Sequence, residues 1–143
     1  MGSPLKDKSF AFTIRIVNLY KYLCLDKKEY VLSKQLLRSG TAIGALVREA
    51  EYGESKPDFI HKLAIALKEA NETEYWILLL CETEYLTIKQ CESITEDLKE
   101  LLKLLRRFPI KTIPSKRVSA PLNPRWLSEA VGVACRRHNQ NQG

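Results

Sequence analysis

Ser55-Lys56-Pro57-Asp58-Phe59-Ile60-His61-Lys62-Leu63-Ala64 opens a stretch that runs without another proline as far as Phe108. Its first four residues carry the signature of a helix start. Ser55 can cap, Pro57 falls in the first turn where no N–H is needed, and Asp58 completes a pattern resembling a capping box. Beyond it, Ile60, Leu63, Ala64, Leu67, Ala70, Leu78, Cys81 and Tyr85 recur at helical spacing. This predicts one long helix over 55–85.

Working outward, the flanks read the same way. Lys8 to Leu25 carries two apolar stripes. One is Phe10, Ile14, Val17 and Cys24; the other is Phe12, Ile16, Leu19 and Leu23. A second helix is expected over Lys28–Tyr52, with Leu32, Leu36, Ile43, Leu46 and Ala50 inward and Gly53 as a left-handed stop. A fourth opens at the capping box Thr87-Ile88-Lys89-Gln90 and runs to about Phe108, with Cys91, Ile94, Leu98, Leu101, Leu102 and Leu105 on one face. Short connections force consecutive helices antiparallel. The expected fold is therefore all-α, an up-down-up-down antiparallel four-helix bundle over residues 1–109. After Pro109 the prolines recur at Pro114, Pro121 and Pro124 between basic residues. Residues 110–143 are expected to form an irregular basic tail, with a short helix conceivable over Trp126–Cys135.

Composition narrows the class. The 143 residues are 45% hydrophobic and 28% charged, as in a globular domain. The longest apolar run, Trp76 to Cys81, is far below the ~20 residues of a membrane span. The polar N-terminus lacks a secretory h-region, so a cytoplasmic location is expected. Cys24, Cys81, Cys91 and Cys135 are widely spaced, and only His61 and His138 could join them. That spacing argues against structural zinc and for reduced, buried thiols. No cofactor is expected. Nothing here forms a nucleophile–base set, and no strand precedes Gly40 and Gly44 to make a nucleotide-binding loop. The two glycines instead suggest close approach of another backbone, inside the bundle or between subunits.

Charge is unevenly placed. The net charge is +6, yet residues 1–48 carry +6, residues 49–100 carry −8 and residues 101–143 carry +8. Lys27, Lys34, Arg38 and Arg48 fall within about 40° of one direction on the second helix. Lys99, Lys103, Arg106 and Arg107 group on the outer face of the fourth, extended by Lys111. Each group is either a solvated helix face or a phosphate-contacting surface whose binding falls with salt. No recognition helix or aromatic stacking platform is evident, so binding would read shape and charge.

Two further features do not fit a plain monomer. Trp76, Leu79 and Leu80 lie roughly opposite the Leu67 stripe. With Phe12, Ile16 and Leu19 they suggest a second buried surface, covered either by the tail or by another copy of the chain; self-association is favoured. Asn71 and Glu74 fall on the expected core stripe, with Lys21 and Arg15 as candidate partners. His61 reads as an edge residue.

Gln35-Leu36-Leu37-Arg38-Ser39-Gly40-Thr41-Ala42-Ile43-Gly44-Ala45, with Glu54 to Leu63, Ala66 to Ala70 and Glu72 to Trp76, resembles the 23S rRNA intervening sequence proteins. That superfamily includes the accessory variability determinants of diversity-generating retroelements. The resemblance covers roughly residues 10–108. It implies a four-helix protomer, a ring-shaped homopentamer and no enzymatic activity. It also implies RNA and a reverse transcriptase as partners, met through basic surfaces. Arg38 matches the basic position of the second helix, and Glu74, Tyr75 and Trp76 match the block in the third. Leu46 departs from the Asn of many relatives, so any polar contact made by that Asn is absent. A protein-interaction scaffold without direct nucleic-acid binding is the alternative.

Overall fold

The computed structural model describes residues 3–108. They form α1 (Pro4–Leu25), α2 (Leu32–Glu51), α3 (Lys56–Glu82) and α4 (Ile88–Arg106). The tail, including Lys111, lies outside the described residues.

Local chemistry sets the boundaries. Helix α1 starts four residues earlier than expected because Pro4, at the first helical position, already has the φ a helix needs. Helix α2 starts later, because Glu29 folds back as its cap. The Glu29 carboxylate accepts from the backbone N–H of Val31, Leu32 and Ser33 at 3.0, 2.8 and 2.6 Å. The Ser33 hydroxyl returns a bond to the Glu29 carbonyl. Ser55 caps α3 through the Asp58 N–H at 3.2 Å. Thr87 and Gln90 make both bonds of the expected capping box on α4.

Helix α3 ends at Glu82 because the chain turns into a left-handed residue. Glu84 has φ 64°. The N–H groups of Glu84 and Tyr85 donate to the carbonyls of Cys81 and Leu80, the paired bonds of a Schellman motif. Gly53 does not play the corresponding role on α2, since no glycine in the described residues has positive φ. Its value is space: a Cβ there would lie 3.0 Å from the Ala50 carbonyl oxygen and 3.2 Å from the Asp58 carboxylate.

Each helix packs on the next, and α4 closes back on α1. Cross-links show every neighbouring pair to be antiparallel. Lys6 pairs with Glu51, Lys62 with Glu49, and Lys8 with Glu100. Arg15 pairs with Asp97 and donates to the Ser93 carbonyl and hydroxyl. Phe59 meets Phe108 edge-on. The helices α1 and α3 therefore lie across one diagonal, and α2 and α4 across the other.

The core corrects the stripe assignments on two helices. On α1 it takes Phe12, Ile16 and Leu23, 2% exposed or less, and leaves Phe10 and Ile14 at 61% and 48%. On α3 it takes Ile60, Leu63, Ala66, Ala70, Thr73, Ile77 and Leu80. Leu78 is exposed, and Leu67, Cys81 and Tyr85 are half-buried at the edges. Phe12, Ile16 and Leu80, expected at a subunit contact, thus belong to the protomer's own core; Leu19, Trp76 and Leu79 are half-buried.

The reason for the rotation is partly Thr73. Its hydroxyl donates to the Glu69 carbonyl at 2.7 Å and meets the Ser39 hydroxyl at 3.0 Å, so a polar residue sits fully buried with its bonds made. The carboxylate network expected around Glu74 does not form. Asn71 and Lys21 are exposed, Glu74 is half-buried, and Arg15 is engaged on α4.

Gly40 and Gly44 serve the α1–α2 contact within one protomer. A Cβ at Gly40 would lie 2.8 Å from Ile16 Cγ2, and one at Gly44 2.8 Å from Thr13 Oγ1. Cys81 and Cys91 are joined by a disulfide between the end of α3 and the start of α4. This overturns the expectation of reduced thiols for that pair; the packing of the two helices brings together residues ten apart in sequence. Cys24 is free.

Candidate nucleic-acid interface

The two basic groups are both on the surface, but the fold separates them. Lys34, Arg38 and Arg48 are exposed along α2, and Lys99, Lys103, Arg106 and Arg107 are exposed along the end of α4. Because α2 and α4 face each other across the bundle, their outer faces point to opposite sides. One straight ligand on one protomer can follow either group but not both. Lys27 is exposed in the α1–α2 connection instead of on the helix, at the foot of the α2 group.

The α2 face is a straight ridge. Lys34, Arg38, Thr41, Ala45, Arg48 and Tyr52 follow at intervals of four, three, four, three and four, which keeps them within about 40° of one direction. From Lys34 to Tyr52 is eighteen residues, five full turns and roughly 27 Å of rise. None of Lys34, Arg38 and Arg48 is in an ion pair among the described residues. Arg38 nevertheless lies close enough to α3 to act on Glu69. Burial raises the Glu69 carboxyl above its ordinary range, the charge on Glu72 adds to this, and Arg38 opposes it.

On α4 the setting differs. Lys103 and Arg106 occupy the last turn, where cations complement the negative end of the helix dipole. Part of that charge therefore already has a structural role.

Two tyrosines missed by sequence reasoning stand at the ends of the α2 ridge. Tyr30 is 59% exposed and Tyr52 is 80% exposed. Tyr52 was legible, since it continues the spacing of the basic residues. Tyr30 was not, because its wetness follows from the inward fold of Glu29, its neighbour.

Apolar side chains are exposed on the other diagonal. Phe10 and Ile14 lie on the outside of α1, and Tyr75 and Leu78 on the outside of α3. Between α1 and α4 runs an open groove of about 510 Å³ lined by Arg15, Asn18, Leu19, Tyr22, Lys89, Gln90, Ser93 and Ile94. Its one arginine is already bonded to Asp97 and Ser93. Among the described residues no cluster of His, Cys, Asp or Glu is arranged to hold a metal ion. No helix among them is long and apolar enough to cross a membrane.

The sequence model of the 23S rRNA-intervening sequence proteins matches residues 4–107, all four helices. The chain belongs to that family. A solved structure from Bacteroides thetaiotaomicron, a protein of unknown function from the S23 ribosomal protein family, shares this family's fold. It is 62% identical with a TM-score of 0.72, and the match covers 76% of this chain and 99% of that one. No curated protein matches. The family shared with that structure accounts for the four-helix protomer; it does not by itself assign a ligand to the α2 ridge.

Proposed function

We propose that this protein is a non-catalytic RNA-binding protein that assembles with copies of itself, as a ring of five, and assists a larger RNA-handling enzyme such as a reverse transcriptase. The observation that carries the RNA reading is the row of unpaired cations on the outer face of α2. Cations held in a straight line and engaged in no ion pair are the electrostatic footprint of a polyanion. The family's name, with its reference to an intervening sequence of 23S rRNA, agrees with RNA as that polyanion. Self-assembly is supported by the exposed apolar residues on the outside of α1 and of α3.

Filter binding to a structured RNA across a salt series tests the RNA reading. Each neutralised phosphate contributes a slope of about 0.7–0.9 in log affinity against log salt. The combined variant Lys34→Glu, Arg38→Glu, Arg48→Glu is expected to weaken binding uniformly across sequences and flatten the slope. Absent binding at low salt, or a flat slope in the unaltered protein, overturns the reading. Light scattering tests the assembly, and a single-copy mass at all salt concentrations rules it out.

A further inference from the structure

The α2 ridge has a feature that phosphate contact alone does not use. An exposed aromatic ring stands at each end of the row of cations. Tyr30 lies in the α1–α2 connection just before α2 begins at Leu32, and Tyr52 follows Arg48 by four residues at the other end. Neither ring packs in the core, and neither hydroxyl makes a hydrogen bond to a described residue.

We infer that the ridge takes unpaired RNA in preference to duplex, with a base stacked on Tyr30, a base stacked on Tyr52, and the backbone between them following Lys34, Arg38 and Arg48. This rests on the RNA reading above and names the form of RNA and the place it binds.

Five considerations support it. A paired base offers its face only to its neighbours in the stack, whereas an unpaired base offers it to a tyrosine ring. The ridge is long enough for a short strand: Lys34 to Tyr52 is roughly 27 Å of helix rise, and Tyr30 lies beyond Lys34. Between the cations Thr41 and Ala45 keep the surface low, so a strand can lie along it without a bulky obstruction.

The ends are also held in place before any ligand arrives. Glu29 is buried, with its carboxylate on three backbone N–H groups and its own N–H donated to the Leu23 carbonyl at 2.9 Å. This fixes the backbone on the N-terminal side of Tyr30, so little order remains to be imposed on binding. At the other end Glu54 and Asp58 border Tyr52 across a shallow depression. Arg48 lines the same depression, so a strand there can set a phosphate against Arg48 and a base on the Tyr52 ring.

The test is fluorescence anisotropy with the full chain and two labelled probes, a ten-nucleotide single-stranded oligoadenylate RNA and a ten-base-pair RNA duplex. The unaltered protein is expected to favour the single strand. Tyr30→Ala and Tyr52→Ala should each weaken single-strand binding by roughly 5- to 100-fold, the range of one lost base stack, and leave duplex binding unchanged. Tyr30→Phe and Tyr52→Phe should retain it, because the ring stays. Both positions are wet, so thermal melts of all four variants are expected to match the unaltered protein.

Equal losses on both probes, or alanine variants that bind the single strand normally, overturn the stacking assignment while the RNA reading stands. Binding to neither probe overturns both. Binding to anionic phosphatidylserine vesicles but not to RNA assigns the ridge to a membrane surface and also refutes the inference.

Discussion

Replacing Glu29 by alanine is the most informative single change in this protein. Glu29 is 7% exposed, and its carboxylate accepts three backbone N–H groups from the first turn of α2. Those N–H groups have no partner within the helix. In the alanine variant water can reach Val31, whose side chain is exposed, but Ser33 is fully buried and its N–H is left without an acceptor. A hydrogen bond to a charged group contributes about 1.5–3 kcal/mol, and loss of an N-terminal cap costs about 0.5–2 kcal/mol. These describe overlapping interactions, so the expected loss is about 3 kcal/mol. For a domain of this size that corresponds to a fall in Tm of roughly 12–20 °C. Thermal denaturation by circular dichroism measures it, and amide hydrogen exchange at Leu32 and Ser33 should accelerate well beyond the global change. The variant should also bind single-stranded RNA less tightly under folded conditions, because Tyr30 loses its fixed backbone. A fall in Tm below about 3 °C with Ser33 exchange unchanged would refute the reasoning.

Gly40→Ala should cost about 1–3 kcal/mol by overpacking, since the new Cβ meets Ile16 Cγ2 at 2.8 Å. In an Ile16→Ala background the same change should be neutral or stabilising, which a double-mutant cycle measures. Glu69→Gln should stabilise the protein at neutral pH. The folded-state carboxyl is raised by burial first and by Glu72 second, so the folded state binds the proton more tightly than the unfolded chain and stability falls as pH rises through that window. The gain from glutamine should shrink as pH is lowered toward about 4.5, and a Tm difference independent of pH is the contrary result. Reduction should lower Tm by removing a cross-link across ten residues, an effect of about 3 kcal/mol in the chain-entropy treatment. A Cys81→Ser, Cys91→Ser variant should be insensitive to dithiothreitol. Phe10→Ser with Ile14→Asn should leave the protomer within about 0.5 kcal/mol of its stability yet reduce the assembled mass, whereas Phe12→Ala should cost about 3–5 kcal/mol.

How far the sequence could be read depended on whether a signal was local. The capping box at Thr87 and Gln90 and the Ser55 cap involve residues three apart, and both were legible. The start of α2 was not, because glutamate is an unusual cap and its role needs the tight fold at Lys28, where φ is 54°. Burial on α1 was ambiguous for a different reason. Both stripes are apolar at helical spacing, and only the positions of α2 and α4 decide between Phe12 and Phe10. On α3 the expected stripe held at Ile60, Leu63 and Ala70 but beyond them was rotated toward the edge, because a buried threonine looks polar in sequence; its partner Ser39 is thirty-four residues away. The basic row on α2 was legible because every member obeys the helical period. That the α4 group lies on the far side, and that Cys81 reaches Cys91, depend on the packing of separate helices.

The near-neutral body therefore does not argue against a polyanion. Through Pro109 the net charge is only +1, but a ligand at the surface responds to charge nearby and not to the sum, because fields between exposed groups are screened beyond about 10 Å. The bundle presents its surface by diagonals: cations outside α2 and α4, apolar side chains outside α1 and α3. Under the proposed assembly the apolar pair would be covered and the cations left in water. The segregated charge also favours one geometry. By sequence the α1–α2 half is basic and most of the α3–α4 half is acidic, but Lys6, Lys8 and Arg15 of α1 are already paired within the protomer, so the preference for α1 of one copy against α3 of the next over contact between like faces is carried by the charges left unpaired. A contact between different faces must close into a ring or continue as a filament. A ring built this way repeats the α2 ridge once per copy, and several weak single-strand sites held together bind one long RNA far more tightly than any one of them alone.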